Sequence, residues 1–273
     1  MLRVSELYIY PVKSLGGIAV QEAKMTSRGL EYDRRWMLVD ENGIFMTQRT
    51  TREMSLLQCG ISGGYLMVYH KLNRDKKISI PLDQYGEEKT EHEVWGDLCV
   101  GSNVSSEADQ WFSDVLGLKC RLVFMADDSI RPVDTNYTSH GEITSFSDGY
   151  PSLIIGQASL DDLNGRMEIP IPMNRFRPNI VFTGGSPFEE DTMRKFRIGA
   201  ILFEGVKLCA RCAIPTINQD TGQMAKEPTR TLAKYRARNN NVYFGQNLIH
   251  SGEGIIRVGD EIEVLQTIVG ESF

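Results

Sequence analysis

A mainly β (α+β) fold with few helices is what this sequence predicts, on three observations. Many short runs alternate apolar with polar residues and are separated by Gly- and Asp-rich turns. One pair of runs is joined by Asn42-Gly43, a pair that tolerates positive φ at both turn centres. Only two segments space their apolar residues at helical intervals. Strands this short and numerous suggest a β-barrel or sandwich, and 273 residues suffice for one large domain or two small ones.

In chain order, 3–10 alternates but changes phase between Val4 and Leu7, which predicts a bulge. A second run covers 18–25. Residues 36–40 and 44–47 form the Asn-Gly hairpin, and 54–58, 65–70 and 78–80 continue the β pattern. From Ser105 or Ser106 to Leu116, the residues Ala108, Trp111, Phe112, Val115 and Leu116 share one helical face, with a serine N-cap and Gly117 as the stop. Leu160, Leu163 and Met167 repeat similarly from Ser159. The segments 120–125, 180–182, 201–206, 241–248 and 261–266 read as strands, and 227–237 as a short helix. The polar stretch 127–149 reads as a long functional loop. A linker is expected near 87–93, dividing a β-rich part, 1–90, from a second part, 91–273.

Composition narrows the class. Hydrophobic residues at 41% and charged residues at 24% are those of an ordinary globular protein. With Lys plus Arg 30 against Asp plus Glu 36, the net charge of -6 gives no global attraction to nucleic acid or anionic lipid. An anion site must therefore be a local cluster of positive charge. Five cysteines are too few, and an odd number, for a disulfide scaffold, so a reducing cytosol is expected. The N-terminus alternates like a strand, and no run approaches the roughly 20 apolar residues that span a bilayer. A soluble protein with neither nucleic-acid nor membrane partners is the expectation.

Two features could carry chemistry. Cys209-Ala210-Arg211-Cys212 offers soft thiolate ligands or nucleophiles, with an arginine that favours thiolate over thiol. Half a zinc site, a redox dithiol, a single thiolate on a soft metal and two small core residues around a surface Arg all remain open for it. The second feature is a scatter of basic residues beside Gly, Pro or strand ends: Lys13, Arg34, Arg35, Arg49, Arg52, Arg175 and Arg177. Such positions suit an anion met by side chain and backbone N–H together, and equally suit surface salt bridges. His70, His92, His140 and His250 lack metal-ligand spacing and read as surface or packing residues.

Taken in order, Tyr10-Pro11-Val12-Lys13-Ser14, Gly29 with Tyr32-Asp33-Arg34-Arg35-Trp36, Ser147-Asp148-Gly149-Tyr150-Pro151, Asn174-Arg175-Phe176-Arg177-Pro178-Asn179-Ile180, and Cys209 to Cys212 with Asp220-Thr221-Gly222 resemble the MOSC (molybdenum cofactor sulfurase C-terminal) proteins. The likeness covers nearly the whole chain. It is nearest to the amidoxime-reducing component and its bacterial YcbX-type relatives. The resemblance implies an N-terminal MOSC-associated β-rich domain over 1–90 and a MOSC β-barrel over 91–273. It also implies a cofactor, the molybdenum cofactor of molybdopterin type. Cys212 matches the metal-ligating cysteine, and Cys209 a position that is often Cys without being the ligand. Lys13, Ser14 and Arg34 match residues holding the cofactor phosphate, and Arg177 and Asn179 those holding the pterin end. Asp148, Gly149 and Tyr150 match a loop lining the site, and Arg211 lies between the two cysteines. Asp148, the carboxylate of the loop matched to the site lining, is the candidate general acid.

The implied reaction is two-electron reduction of N-hydroxylated compounds: amidoximes, hydroxylamines and N-hydroxylated base analogues. A sulfur or cofactor carrier using Cys212 as persulfide or metal acceptor is the alternative. Relatives commonly read Thr-Thr-(Ile/Val)-Asp-Pro after the cysteine. Pro215, Asn218 and Gln219 depart from that pattern here, which is expected to alter the pocket wall. No cysteine follows Cys212 to hold an iron–sulfur cluster, so an external electron-transfer protein of ferredoxin, flavin reductase or cytochrome type is expected.

Overall fold

The computed structural model describes residues 1–138, 141–270 and 273. The chain opens with β1 (Leu2–Ile9), β2 (Ile18–Val20), β3 (Glu22–Thr26), β4 (Gly29–Leu30) and β5 (Trp36–Val39). A 3-10 turn then leads into a meander of β6 (Leu57–Ser62), β7 (Tyr65–His70) and β8 (Asn73–Pro81). The hairpin β9 (Lys89–Val94) and β10 (Asp97–Asn103) precedes α1 (Ser106–Leu116) and β11 (Arg121–Phe124). After a long irregular stretch come β12 (Ser152–Gly156), α2 (Gln157–Gly165), β13 (Ile180–Thr183), β14 (Met193–Ile198) and β15 (Ile201–Ala210). The chain continues with α3 (Thr229–Leu232), β16 (Ala237–Arg238), β17 (Asn241–Ser251), β18 (Gly254–Arg257) and β19 (Glu261–Thr267).

Seven strands close a barrel in the order β12-β13-β1-β19-β14-β15-β17, and β17 pairs back to β12. Closure removes the free edges that an open sheet would expose. Ile154, Ile180, Phe182, Phe196, Phe203 and Leu248 belong to the core cluster inside it. The mainly β expectation holds. The N-terminal strand is part of this barrel, since β1 pairs with β13 and β19, and β3 pairs with β18. The expected phase change in β1 is a register shift between Val4 and Glu6. Beside the barrel, the sheets β5-β11-β10-β9 and β6-β7-β8 enclose a second core with α1.

The α1 helix follows the sequence reading closely. Ser105 Oγ accepts from the Ala108 N–H at 3.1 Å, Gly117 ends the helix at φ 68°, and Ala108, Phe112 and Leu116 are its buried residues. Elsewhere the structure differs. The α2 helix begins at Gln157, ahead of Ser159, and α3 fills only four residues of the expected 227–237. Residues 52–56 form the 3-10 turn, so the strand expected from 54 starts at Leu57. At the Asn-Gly turn, Gly43 has φ 79° while Asn42 is not among the positive-φ residues. Asp40 is the cause: its Oδ1 accepts from the N–H groups of Asn42 and Ile44, both at 2.9 Å. That side-chain turn favours one left-handed glycine over a doubly left-handed pair.

The segment 87–93, expected as a linker, instead carries β9 from Lys89 onward, paired residue by residue with β10. Its outward residues, Lys89, Glu91 and Glu93, mask an alternation whose inward members are His92 and Val94.

Candidate active site

Strand ends position the functional side chains. Lys13 and Ser14 follow β1, Arg34 precedes β5, residues 148–150 precede β12, Arg177 and Asn179 precede β13, and the cysteine pair closes β15. They meet in one cleft with a cavity volume of about 280 Å³. Its lining includes Lys13, Ser14, Arg34, Asp148, Gly149, Tyr150, Arg177, Asn179, Arg211 and Cys212, every residue that the sequence reading assigned to the site. Four lining residues have left-handed backbones without being glycine: Ser14 at φ 67°, Arg34 at 49°, Trp95 at 59° and Arg177 at 56°. Such conformations cost free energy and persist where surrounding structure enforces them, commonly at functional sites.

Positive charge is concentrated at the inner end. Lys13 is 4% exposed, and its Nζ donates to Phe146 O at 2.8 Å and to Asp148 Oδ1 at 2.5 Å. Burial pushes its pKa down, against the pull of Asp148. Arg34 pairs with Asp33 at 2.7 Å and also donates to Asn179 Oδ1 at 3.0 Å and Arg177 O at 3.3 Å. The buried Tyr10 ring has the guanidinium carbons of Arg34 and Arg177 each 4.3 Å from its centroid. Gly17 allows this: a Cβ there would run into the Tyr10 ring. Burial, followed by the like charge of Arg34, lowers the Arg177 pKa to about 10. No ion pair to Arg177 exists among the described residues, and its buried Nη2 lacks a hydrogen-bond partner.

At the sulfur end, Cys212 is exposed and Cys209 half-buried. Arg211 addresses Cys209, not Cys212: its Nη1 donates to Cys209 Sγ at 3.0 Å and its Nη2 to Phe176 O at 2.7 Å, while its buried Nε has no partner. Burial pushes the Cys209 thiol up, with Arg211 opposing. The arrangement can therefore ligate a soft metal at an open thiol while buried, unpaired N–H groups receive an anionic or hydrogen-bond-accepting group beside it. Among the described residues, no group of three or more His, Cys, Asp or Glu could hold a metal ion. A metal at Cys212 must bring other ligands with it.

Several expected roles change. Asp148 is a poor proton donor. Burial opposes its charge, but Lys13, the Trp95 N–H and Arg34 prevail and hold the carboxyl below the usual carboxylate range. Because the side chain is 69% exposed, solvent screens these interactions in part. Asn179 is buried, donates to Tyr8 O and accepts from Arg34 and the Leu153 N–H, so it supports Arg34 while still lining the cleft. Of the segment after the cysteines, Ile214 lines the cleft, whereas Pro215, Asn218 and Gln219 do not. Gln219 instead exchanges hydrogen bonds with Gln48 at 3.0 and 2.9 Å, and Pro215 O accepts from Arg175 Nε at 2.7 Å. Arg35 donates to Met125 O, so neither it nor Arg175 is spent on the cleft. Buried His92 bonds Thr90 and Gly43, and His250 bonds Thr26 O. His140 lies outside the described residues.

Sequence reasoning missed Trp95, Tyr10 and Arg131. Trp95 had a signal: Trp95-Gly96 joins two alternating runs. Arg131 had none. It is buried in the stretch read as a loop and holds that loop by donating to Ser145 O at 3.0 Å, Ser147 O at 2.5 Å and Asp97 at 2.8 Å.

Comparisons with known proteins place the chain in a family. Residues 1–119 match the family described as "MOSC N-terminal beta barrel domain" and residues 142–263 the "MOSC domain". The chain is 32% identical to "Mitochondrial amidoxime-reducing component 1" of Mus musculus, over 96% of this chain and 82% of that protein. It is 35% identical to "Mitochondrial amidoxime reducing component 2" of Bos taurus, over 85% of this chain and 72% of that protein. Against "Molybdenum cofactor sulfurase" of Oryza sativa subsp. japonica the identity is 30% over 98% of this chain, which spans only 35% of that protein. Among the described residues no helix is long and apolar enough to cross a membrane.

Proposed function

The chain belongs to the MOSC family, and from that premise we propose that it is a molybdenum-cofactor-dependent oxidoreductase that reduces N-hydroxylated compounds with electrons from an external donor protein. Amidoximes, hydroxylamines and N-hydroxylated base analogues are its substrates. The donor is a ferredoxin, flavin reductase or cytochrome type, and the five free thiols suit a reducing cytosol. One observation carries the reading: an exposed thiol, Cys212, lines the same cleft as buried guanidinium N–H groups that lack partners, Arg177 Nη2 and Arg211 Nε. Unpaired buried donors are costly, so they mark a place where another acceptor belongs.

The residues present fit the cofactor. Cys212 would ligate the metal, Lys13, Ser14 and Arg34 would hold the phosphate, and Arg177, Asn179 and Arg211 would meet the pterin and its polar edge. Asn179 and Tyr10 keep Arg34 and Arg177 in place. When bound, the cofactor supplies two-electron oxygen-atom abstraction. The net change replaces N–O by N–H and releases water, consuming two electrons and two protons. Asp148, held as a carboxylate, accepts hydrogen bonds and does not supply the proton.

The test is metal and pterin analysis of protein purified from a cofactor-competent host, with near-stoichiometric molybdenum expected. Cys212→Ser should abolish hydroxylamine reduction while Cys209→Ser keeps most of it; equal loss would argue for a dithiol mechanism. The exposure of Cys212 and the sulfurase relative favour one alternative, a sulfur or cofactor carrier. Sulfane sulfur on Cys212 with no molybdenum would establish that alternative.

A further inference from the structure

Trp95 and Gly96 form the two-residue turn between β9 and β10, where Val94 faces Asp97. Both turn residues have positive φ, 59° and 89°. Turns of this kind select Asn, Asp or Gly, and a bulky aromatic there is an outlier. Burial does not explain the tryptophan, since it is 42% exposed. Its side chain is nevertheless held. The Arg49 guanidinium carbon lies 3.8 Å from the ring centroid, and Phe45 packs edge-on at 4.8 Å. The indole Nε1–H donates to Asp148 Oδ1 at 3.0 Å, the same oxygen that Lys13 Nζ reaches at 2.5 Å. Asp148 Oδ2 has no hydrogen bond among the described residues, and the side chain opens to the cleft. Arg34, Arg177 and the Cys209 thiol also interact with this carboxylate.

We propose that Trp95 is a positioning residue: with Lys13 it fixes one oxygen of Asp148, so that the other is presented to the N–OH and N–H donors of the substrate. This rests on the reading of the cleft as the reducing site. It assigns the substrates a shared chemistry, a hydrogen-bond donor on or beside the hydroxylated nitrogen. The strained turn is kept because Asn or Gly, either of which would relax it, lacks a rigid N–H at indole reach.

Steady-state kinetics of the molybdenum-loaded enzyme on a hydroxylamine separate the roles. Trp95→Phe keeps the ring and deletes the donor. It should raise KM about tenfold, the scale of one charge-assisted hydrogen bond, with kcat little changed. Asp148→Ala should raise KM at least as much, and the double variant no further than Asp148→Ala alone. Trp95→Asn, which relaxes the turn but also removes the ring contacts with Arg49 and Phe45, should share the KM defect. The Trp95 indole proton resonance should move in Asp148→Asn, a signal that needs no turnover. Additive KM effects or an unmoved indole resonance would each overturn the assignment. An enzyme inactive toward every N-hydroxylated substrate overturns the reading of the site, whereas an active enzyme with additive effects overturns only the role of Trp95.

Discussion

Replacing Tyr10 tests how the cleft tolerates its own charge. The ring is 2% exposed and is shared by Arg34 and Arg177, each with its guanidinium carbon 4.3 Å from the centroid. Arg34 has Asp33 in direct contact as counter-charge, whereas Arg177 makes no direct ion pair among the described residues and feels Asp148 and Asp33 only at longer range, so the Tyr10 face is its closest electrostatic support. Tyr10→Phe deletes one hydrogen bond, from the hydroxyl to Pro178 O at 3.1 Å, and should cost about 1 kcal/mol. Tyr10→Leu deletes the ring. Two desolvated cation–π contacts at about 1–2 kcal/mol each, with the residual cavity, bring its cost to about 3–5 kcal/mol. Urea unfolding at pH 7 measures both, provided the m-value is unchanged. Molybdenum content should survive in the Phe variant and drop in the Leu variant. A Leu variant within about 1 kcal/mol of the Phe variant would refute the claim that the ring holds the two cations.

Other outcomes follow from the same geometry. Arg177→Met should raise stability by about 1–2 kcal/mol in thermal unfolding, because it replaces a desolvated, unpaired charge with apolar volume, yet should empty the protein of molybdenum. A loss of stability would mean that Arg177 is structural. Burial, then Asp191, pushes the Glu190 carboxyl up to about 7 from 4.5. Folding therefore favours its protonated form, and that contribution, present below about pH 4.5, is lost as the pH rises through 7. Glu190→Gln should flatten this slope, gaining up to ~3 kcal/mol over the parent between pH 4 and pH 8 in urea midpoints; an unchanged slope would locate the titration elsewhere.

Local chemistry made much of this molecule readable. The Ser105 cap, the apolar face of α1 and the Gly117 stop all lie within one short segment, so the helix could be read from its own residues. The phase change in β1 was visible for the same reason, as was the candidate site wherever a basic residue or thiol stood beside Pro, Gly or a strand end. The hairpin β9–β10 was hidden because its outward face is charged and its turn carries tryptophan where Asn or Gly is usual. Arg131 was hidden because an arginine in a polar stretch reads as surface until its burial is known.

The sequence by itself determined the β-rich class, the bounds of α1 and the residue types able to meet an anion and a soft metal. Only the tertiary structure decided that Lys13, Arg34, Arg177 and Cys212 share one cleft, that Arg211 addresses Cys209, that Asp148 is committed to Lys13 and Trp95, and that Asn179 supports Arg34. The division has a physical reason. Caps, turns and alternation arise between residues a few positions apart, whereas the cleft joins groups more than a hundred residues apart, and they meet only when the barrel closes β17 onto β12.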